Sequence, residues 1–507
     1  MRFVHRINIA DFFGMQWGEF YQCLESTKQN EFVSDERICF YLYDTADYEL
    51  LKNLFVDFYK QIRALDIPNY FVYIEVSSAD SKRAVMEAYD KIGADHVPTV
   101  DVVPAKLTSK HISTSTASYN LPETICPMPW RSLDIDALGN IGPCCDFNNS
   151  TVKTEFDPTK DSLESAYNSN WMRQLRQDFR AGKKPAGCGR CWREEASGIE
   201  SKRQIYSKRF GTDSSAINWD EDDVKNLHTM SIAFGNVCNF QCRICSSKSS
   251  SKIATETDDK VAIEKGQWIR NAKNIWEELI RNPQIRHFDF AGGEPLLDKE
   301  HLRVLKILIE YGIAEKVSLH YNTNGSVIND ELLDIWKNFK LVDIAVSIDD
   351  LGERFNYQRP GVGKRWNWDL VEQNVKYIQQ HKSSNLRLEM YTTVSILNAY
   401  YLPELSDWAE TIKFDSIHIS ILDQPIYLCI RNMPMEVAYT VRKRLEDHTF
   451  SKTFQASVNK IITMLNETQN QSNARLVNYI EQLDKRRNEQ FNDAHSEISF
   501  KLGLANN

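Results

Sequence analysis

The run NVCNFQCRICSS, Asn236–Ser247, decides how the rest of the chain is read. Its three cysteines, Cys238, Cys242 and Cys245, are spaced CxxxCxxC. A closed electron-transfer cluster takes four cysteine thiolates. Three in one tight loop supply a 4Fe-4S cluster with one iron left open, so something outside the protein completes the coordination. Zinc is the competing reading, but zinc prefers four tetrahedral ligands and this loop shows no fourth.

Working outward, strand-like TMSIAF (Thr229–Phe234) runs straight into the cysteine loop, and a second short strand, HFDF, ends in AGGEP. Functional motifs at strand ends are the arrangement of a βα barrel. Gly292 and Gly293 have no side chain to hold a ligand off the backbone, Glu294 offers a carboxylate and Pro295 fixes the bend, so this corner can hold an ammonium group. Together the two motifs resemble the radical S-adenosylmethionine (SAM) superfamily. In that superfamily SAM chelates the open iron through its amino and carboxylate groups, and a GGEP corner contacts the amino group. Ile244 departs from the family pattern, which usually has an aromatic residue before the last cysteine.

Four more strands follow in register: VSLHYNTNG, VDIAVSIDD, LRLEMYTTVSI and DSIHISIL. The resemblance implies that Ser347 on the fourth strand and Arg359 in YQRPG bind the SAM carboxylate, a role that suits the planar fork of arginine. Asp349 either faces the ribose hydroxyls or caps the next helix. WIRNAKNIWEELI and LRVLKILIEYG carry the 3.6-residue apolar spacing of helices between strands. The expected fold class is α/β: a partial (βα)6 barrel over 225–430.

A second cysteine set lies upstream. Cys126 and Cys144 bracket ICPMPWRSLDIDALGNIGPCC, in which Gly139 and Gly142 fit a tight hairpin after SLDID, and Cys188 and Cys191 form the CxxC of GCGRCW. Four thiolates close a 4Fe-4S cluster, and they equally make a zinc knot. The pattern resembles the twitch domain, a shortened relative of the SPASM domain that binds an auxiliary 4Fe-4S cluster. That domain usually follows the barrel; here it precedes it, over 116–215. Cys145 reads as a bystander, and Cys23, Cys39 and Cys429 as buried, inert thiols. A hydrogen-donating role for Cys429, known in some radical SAM epimerases, is the alternative.

Residues 1–115 read as a small α/β domain of unknown role: strands in ICFYLYDT, YFVYIEVSS and VPTVDVV alternate with helical ELLKNLFVDFYKQI and SKRAVMEAYDKI. KLTSKHISTSTASYN reads as a linker. Residues 431–507 read as charged helices that cover the open side of the barrel or form an interaction arm.

Seven of the eleven cysteines fall in the two sets, which need a reducing compartment, and no apolar run approaches the roughly 18 residues of a membrane span. The expectation is a cytoplasmic protein. A formal charge of -9 with no long basic run argues against nucleic acid as a partner. The resemblance implies a 4Fe-4S cluster, SAM and an auxiliary 4Fe-4S cluster as cofactors, and an electron donor such as flavodoxin or ferredoxin. It also implies reductive cleavage of SAM to a 5'-deoxyadenosyl radical that abstracts hydrogen from a peptide or protein side chain, or from a small metabolite or sugar. A non-catalytic iron-sulfur or zinc protein is the third reading, and no residue is singled out as a base.

Overall fold

A computed structural model describes residues 121–151, 161–196, 200–211, 227–272, 285–467 and 473–504, four strands before residue 103, and residues 157, 217 and 219–222. It separates into two compact units, residues 1–121 with 207–218 and residues 122–206 with 219–507. In the first, β1 (Arg2–Asn8), β2 (Glu36–Leu42), β3 (Val72–Val76) and β4 (Thr99–Val102) form a parallel sheet in that order. Three of these strands fall where the sequence predicts them; β1 is additional. Cys23, the helical patterns at 49–62 and 81–92 and the linker at 106–120 lie outside the described residues, as does the expected helix WIRNAKNIWEELI beyond residue 272.

The second unit is organised by one eight-stranded sheet, ordered β12-β11-β10-β9-β8-β7-β5-β6. Six of these strands are the expected barrel: β7 (Thr229–Ala233), β8 (His287–Ala291), β9 (Ser318–Thr323), β10 (Leu341–Ser347), β11 (Leu386–Val394) and β12 (Ser416–Ile421), all parallel. Three intervening helices start on side-chain caps: Asp298 accepts from the Glu300 N–H, Asn329 from Leu332 and Asn367 from Leu370. Alternate strand residues face this helical layer. Phe290 meets His301 of helix Lys299–Glu310 at 5.2 Å, and Tyr321 meets Trp336 of helix Asp330–Trp336 at 5.4 Å between ring centroids. Their strand neighbours therefore face the lumen.

A partial barrel leaves two edges with unpaired backbone. The β7 edge is closed by β5 (Ser132–Ile135), which pairs parallel to it from Ser132↔Thr229 to Ile135↔Ile232 and carries the hairpin partner β6 (Ile141–Gly142). The segment with the second cysteine set is thus continuous with the barrel sheet and falls in the same compact unit. At the other edge, helix Lys452–Asn466 packs on β12, as covering helices would. Helix Ala474–Arg487 does something else, and meets the cysteine loop.

Candidate functional site

β7 delivers the chain through Gly235 into the three-cysteine loop. The N–H groups of Gln241 and Arg243 donate to the carbonyls of Pro360 and Gln358 at 2.8 and 2.9 Å, and Phe240 bridges to Gly361, so the YQRPG segment lies along the loop. Cys238, Cys242 and Cys245 are half-buried. Burial and then the neighbouring Cys242 thiol push Cys245 up to about 12, and the same two causes, in that order, raise Cys238. A metal centre takes cysteine ligands as thiolates.

The GGEP corner is packed against the backbone of that loop. The Gly293 N–H donates to the Gly235 carbonyl at 3.0 Å and the Glu294 N–H to the Val237 carbonyl at 2.8 Å. A Cβ on Gly293 would lie 2.1 Å from the Val237 oxygen; on Gly292, whose φ is +114°, it would lie 2.6 Å from the Ala233 Cβ. The glycines are needed for this close approach to protein backbone, beyond any approach to a ligand. Glu294 is buried and accepts from Thr323 Oγ1, the Asn324 N–H and the Leu296 N–H at 2.7, 2.7 and 3.1 Å. Burial pushes its carboxyl up to about 7 against the pull of these donors. Pro295 opens the short turn Pro295–Leu297.

Arg359 reaches back over the cluster loop. Its Nε donates to Asp349 at 2.7 Å and its Nη1 lies 3.8 Å from the Cys242 sulfur. Asp349 also accepts the Thr393 N–H at 2.9 Å. It does not cap the following helix, Gly352–Gln358, whose cap position is Leu351. Ser347 ends β10 and has lumen parity.

In the second cysteine set, Cys126, Cys144, Cys188 and Cys191 line one small cavity with Phe147, Lys202 and Arg203. The hairpin forms because Asp136 accepts the Leu138 and Asn140 N–H groups and Gly139 turns at φ +79°, where the Trp268 ring takes the space of a Cβ. Phe147 lies on Gly187, and the Asn148 N–H donates to the Gly187 carbonyl at 2.8 Å, pinning the Cys144 turn to the CxxC loop. Arg203 joins the remaining parts: it donates to the carbonyls of Glu123 and Ile125, just before Cys126, and pairs with Glu195, in the helix that carries Cys191. Cys145 does not line the cavity; it is exposed, with its sulfur 2.7 Å from Lys202 Nζ. Cys429 is buried just beyond β12, 3.5 Å from the Pro425 carbonyl.

The structure adds a group of residues that the sequence reading does not contain. Each of the six barrel strands, and β5, places a polar side chain at a lumen position: Asp134, Ser231, Asp289, His320, Asp343, Glu389, Tyr391 and His418. His320 Nδ1 pairs with Asp289 at 2.9 Å, while its Nε2 is buried and has no hydrogen-bond partner. Burial alone would lower the His320 pKa, but the bond and charge of Asp289 outweigh it and raise the value above 6.5. Asp343 is held by Arg387 at 2.7 Å, and burial pushes Asp134 up to about 7. Lys202 lines the cavity of the second cysteine set. A signal was present in the sequence: strands buried in a parallel sheet usually read as apolar runs, whereas HFDF, SLHYNT, LRLEMYTT and SIHIS alternate.

Comparison with known proteins agrees with this geometry. Residues 232–414 match the Radical SAM superfamily, and residues 126–192 match SPASM, an iron-sulfur cluster-binding domain. GTP 3',8-cyclase of Actinobacillus pleuropneumoniae serotype 3 (strain JL03) is 25% identical over 221 residues, 44% of this chain and 59% of that protein. The same-named protein of serotype 7 (strain AP76) is 22% identical over the same lengths, so the chain spans 59% of these relatives. Among solved structures, native anSMEcpe with bound AdoMet is similar at 16% identity and a TM-score of 0.33, over 43% of this chain and 59% of that one. Streptococcus suis SuiB bound to S-adenosylmethionine is similar at 14% identity and a TM-score of 0.29, over 64% and 69%. Among the described residues, no helix is long and apolar enough to cross a membrane.

Proposed function

We propose that this chain, which carries a SPASM iron-sulfur domain at 126–192 and a radical SAM domain at 232–414, is an enzyme that abstracts hydrogen from a peptide or protein side chain in the barrel lumen, with an auxiliary cluster assisting. A bound 4Fe-4S cluster together with SAM would supply the reducing electron and the radical chemistry that removes a hydrogen atom from the substrate. Cys238, Cys242 and Cys245 hold that cluster. The glycine corner fixes its loop, and Arg359, Ser347, Asp349 and Glu294 form the wall against which SAM is oriented. Cys126, Cys144, Cys188 and Cys191 hold an auxiliary 4Fe-4S cluster, in a domain whose family is iron-sulfur-binding rather than zinc-binding.

The observation that carries the reading is the pairing of β5, which lies between Cys126 and Cys144, with β7, which leads into the three-cysteine loop, so that one sheet carries both cysteine sets. His320 is the group suited to take a proton from the substrate: Asp289 orients it and its Nε2 is uncommitted. Asp289, Asp343 and Glu389 outnumber Arg387 in the lumen, which disfavours a polyanion such as a nucleoside triphosphate. This favours a peptide over the nucleotide named for the curated relatives, although the same chemistry on a small metabolite or sugar is the second reading, supported by those relatives. Electrons would come from a flavodoxin or ferredoxin, in a reducing cytoplasm.

Anaerobically reconstituted protein should form 5'-deoxyadenosine from SAM and dithionite, faster when a peptide substrate is present. Loss of Cys238, Cys242 and Cys245 should abolish it. If loaded protein binds SAM yet never cleaves it with any substrate, the chain belongs to the non-catalytic class.

A further inference from the structure

The backbone of the three-cysteine loop is held on two sides. Its N–H groups are taken by the carbonyls of Gln358 and Pro360, as described above, but its carbonyls point the other way, toward helix Ala474–Arg487. Arg487 Nη1 donates to the Gln241 carbonyl at 2.9 Å, and Tyr479 Oη donates to the Arg243 carbonyl at 2.6 Å. These are the residues immediately before and after Cys242. Arg243 itself is fully buried, stacks 3.5 Å over the Tyr357 ring and pairs with Asp484 and Glu489. Arg487 is fixed in turn by a two-pronged pair with Glu256. Nothing in the radical SAM domain match, which ends at residue 414, includes this helix.

We infer that the C-terminal helix is a working part of the cluster site, with Tyr479 and Arg487 as positioning residues that fix the backbone on both sides of Cys242 and place a permanent positive charge beside its thiolate. Two forces favour the arrangement. Buried carbonyls left without donors cost free energy, so the loop is rigid only while the helix is docked. A fixed cation near the cluster favours the reduced, more negative state, and the Arg487 guanidinium is held on the carbonyl of the residue next to Cys242. Outer-shell partners of metal ligands typically change metal affinity or activity roughly 10- to 100-fold when removed.

The inference rests on the radical SAM reading, and the test separates the two. Full-length wild type, Arg487→Gln, Arg487→Lys and Tyr479→Phe are reconstituted anaerobically, and iron content, the EPR spectrum of the reduced protein with and without SAM, the midpoint potential and 5'-deoxyadenosine formation are measured. A Cys126→Ala, Cys188→Ala background isolates the signal of the three-cysteine cluster. Arg487→Gln should keep its auxiliary iron but change the SAM-dependent EPR signal, lower the potential and reduce 5'-deoxyadenosine formation by about 10-fold or more. Arg487→Lys should recover the potential, through its charge, more than the EPR line shape, which depends on the forked reach. Tyr479→Phe should alter the line shape without moving the potential. Wild-type iron, spectrum and potential in all three variants would overturn the inference. Should Arg487→Gln lose auxiliary iron as well, Arg487→Lys decides: a selective change at the three-cysteine cluster supports the inference and wild-type behaviour refutes it. If wild type never cleaves SAM, the functional reading fails, while the EPR and iron comparison still decides this one.

Discussion

Replacing Gly293 with alanine isolates the contact between the two motifs that define the site. The added methyl would lie 2.1 Å from the Val237 oxygen, 2.6 Å from its carbonyl carbon and 2.7 Å from that of Asn236, all backbone of the cluster loop. No side-chain rotation relieves such a clash, so the corner must move off the loop. Moving it breaks the Gly293-to-Gly235 and Glu294-to-Val237 hydrogen bonds, each worth about 1 kcal/mol net. Overpacking adds about 1–3 kcal/mol. The sum is about 3–5 kcal/mol, or a fall of roughly 5 °C in Tm for a unit of this size. Gly312→Ala is the matched control: φ is +66° but nothing lies within 4 Å, so its cost is only the left-handed backbone, about 1 kcal/mol. Thermal melts of reconstituted protein, with iron and 5'-deoxyadenosine assayed alongside, test the ranking. Gly293→Ala should lose SAM cleavage while Gly312→Ala keeps it; equal behaviour of the two variants would refute the argument that backbone contact is what requires glycine.

Other expectations follow from the same geometry. Asp289→Asn should lower the His320 pKa, since burial is then opposed only by the charges of Glu389 and Asp343, and histidine-selective NMR titration reads this directly. The His320–Asp289 pair should stabilise the fold from above the ordinary aspartate value of 3.8 up to the raised histidine pKa. Its contribution is lost as pH rises through that value, so the Tm gap between wild type and Asp289→Asn should be wider at pH 6 than at pH 9. Phe290→Ala removes a fully buried ring that meets Phe234, Phe288, His301 and Tyr321, and should cost about 3–5 kcal/mol in denaturant titrations. Arg203→Met should release the segment before Cys126 from the CxxC helix and lower auxiliary iron, leaving the three-cysteine iron in place; loss of both together would contradict separate sites.

The barrel and both cysteine sets were legible because they are local: spacing, strand-end glycines and apolar period all act within a few residues. What the sequence did not reveal depends on contacts distant in the chain. Nothing local to SLDID states that it will pair with TMSIAF, nearly a hundred residues on, and that pairing joins the cluster segment to the barrel edge. The grip of Tyr479 and Arg487 on the loop around Cys242 spans more than two hundred residues, and the charged pattern of their helix reads equally well as a solvated face. Gly292 and Gly293 read in the sequence as room for a ligand, whereas backbone and Ala233 fill that room, because a glycine records that space is short and not what fills it. The polar lumen was visible as alternation in the strands, but only the register between strands brings His320 to Asp289.

The central claim is that the two cysteine sets hold separate centres and that only one of them cleaves SAM. The direct measurement is 5'-deoxyadenosine formed from SAM and dithionite, with iron and sulfide counted, in wild type, in Cys238→Ala/Cys242→Ala/Cys245→Ala and in Cys188→Ala/Cys191→Ala. The account predicts that each variant loses about half of the iron, that the triple variant forms no 5'-deoxyadenosine, and that the double variant still cleaves SAM without substrate. Cleavage that survives in the triple variant, or a wild type whose iron all resides on one set, would contradict it.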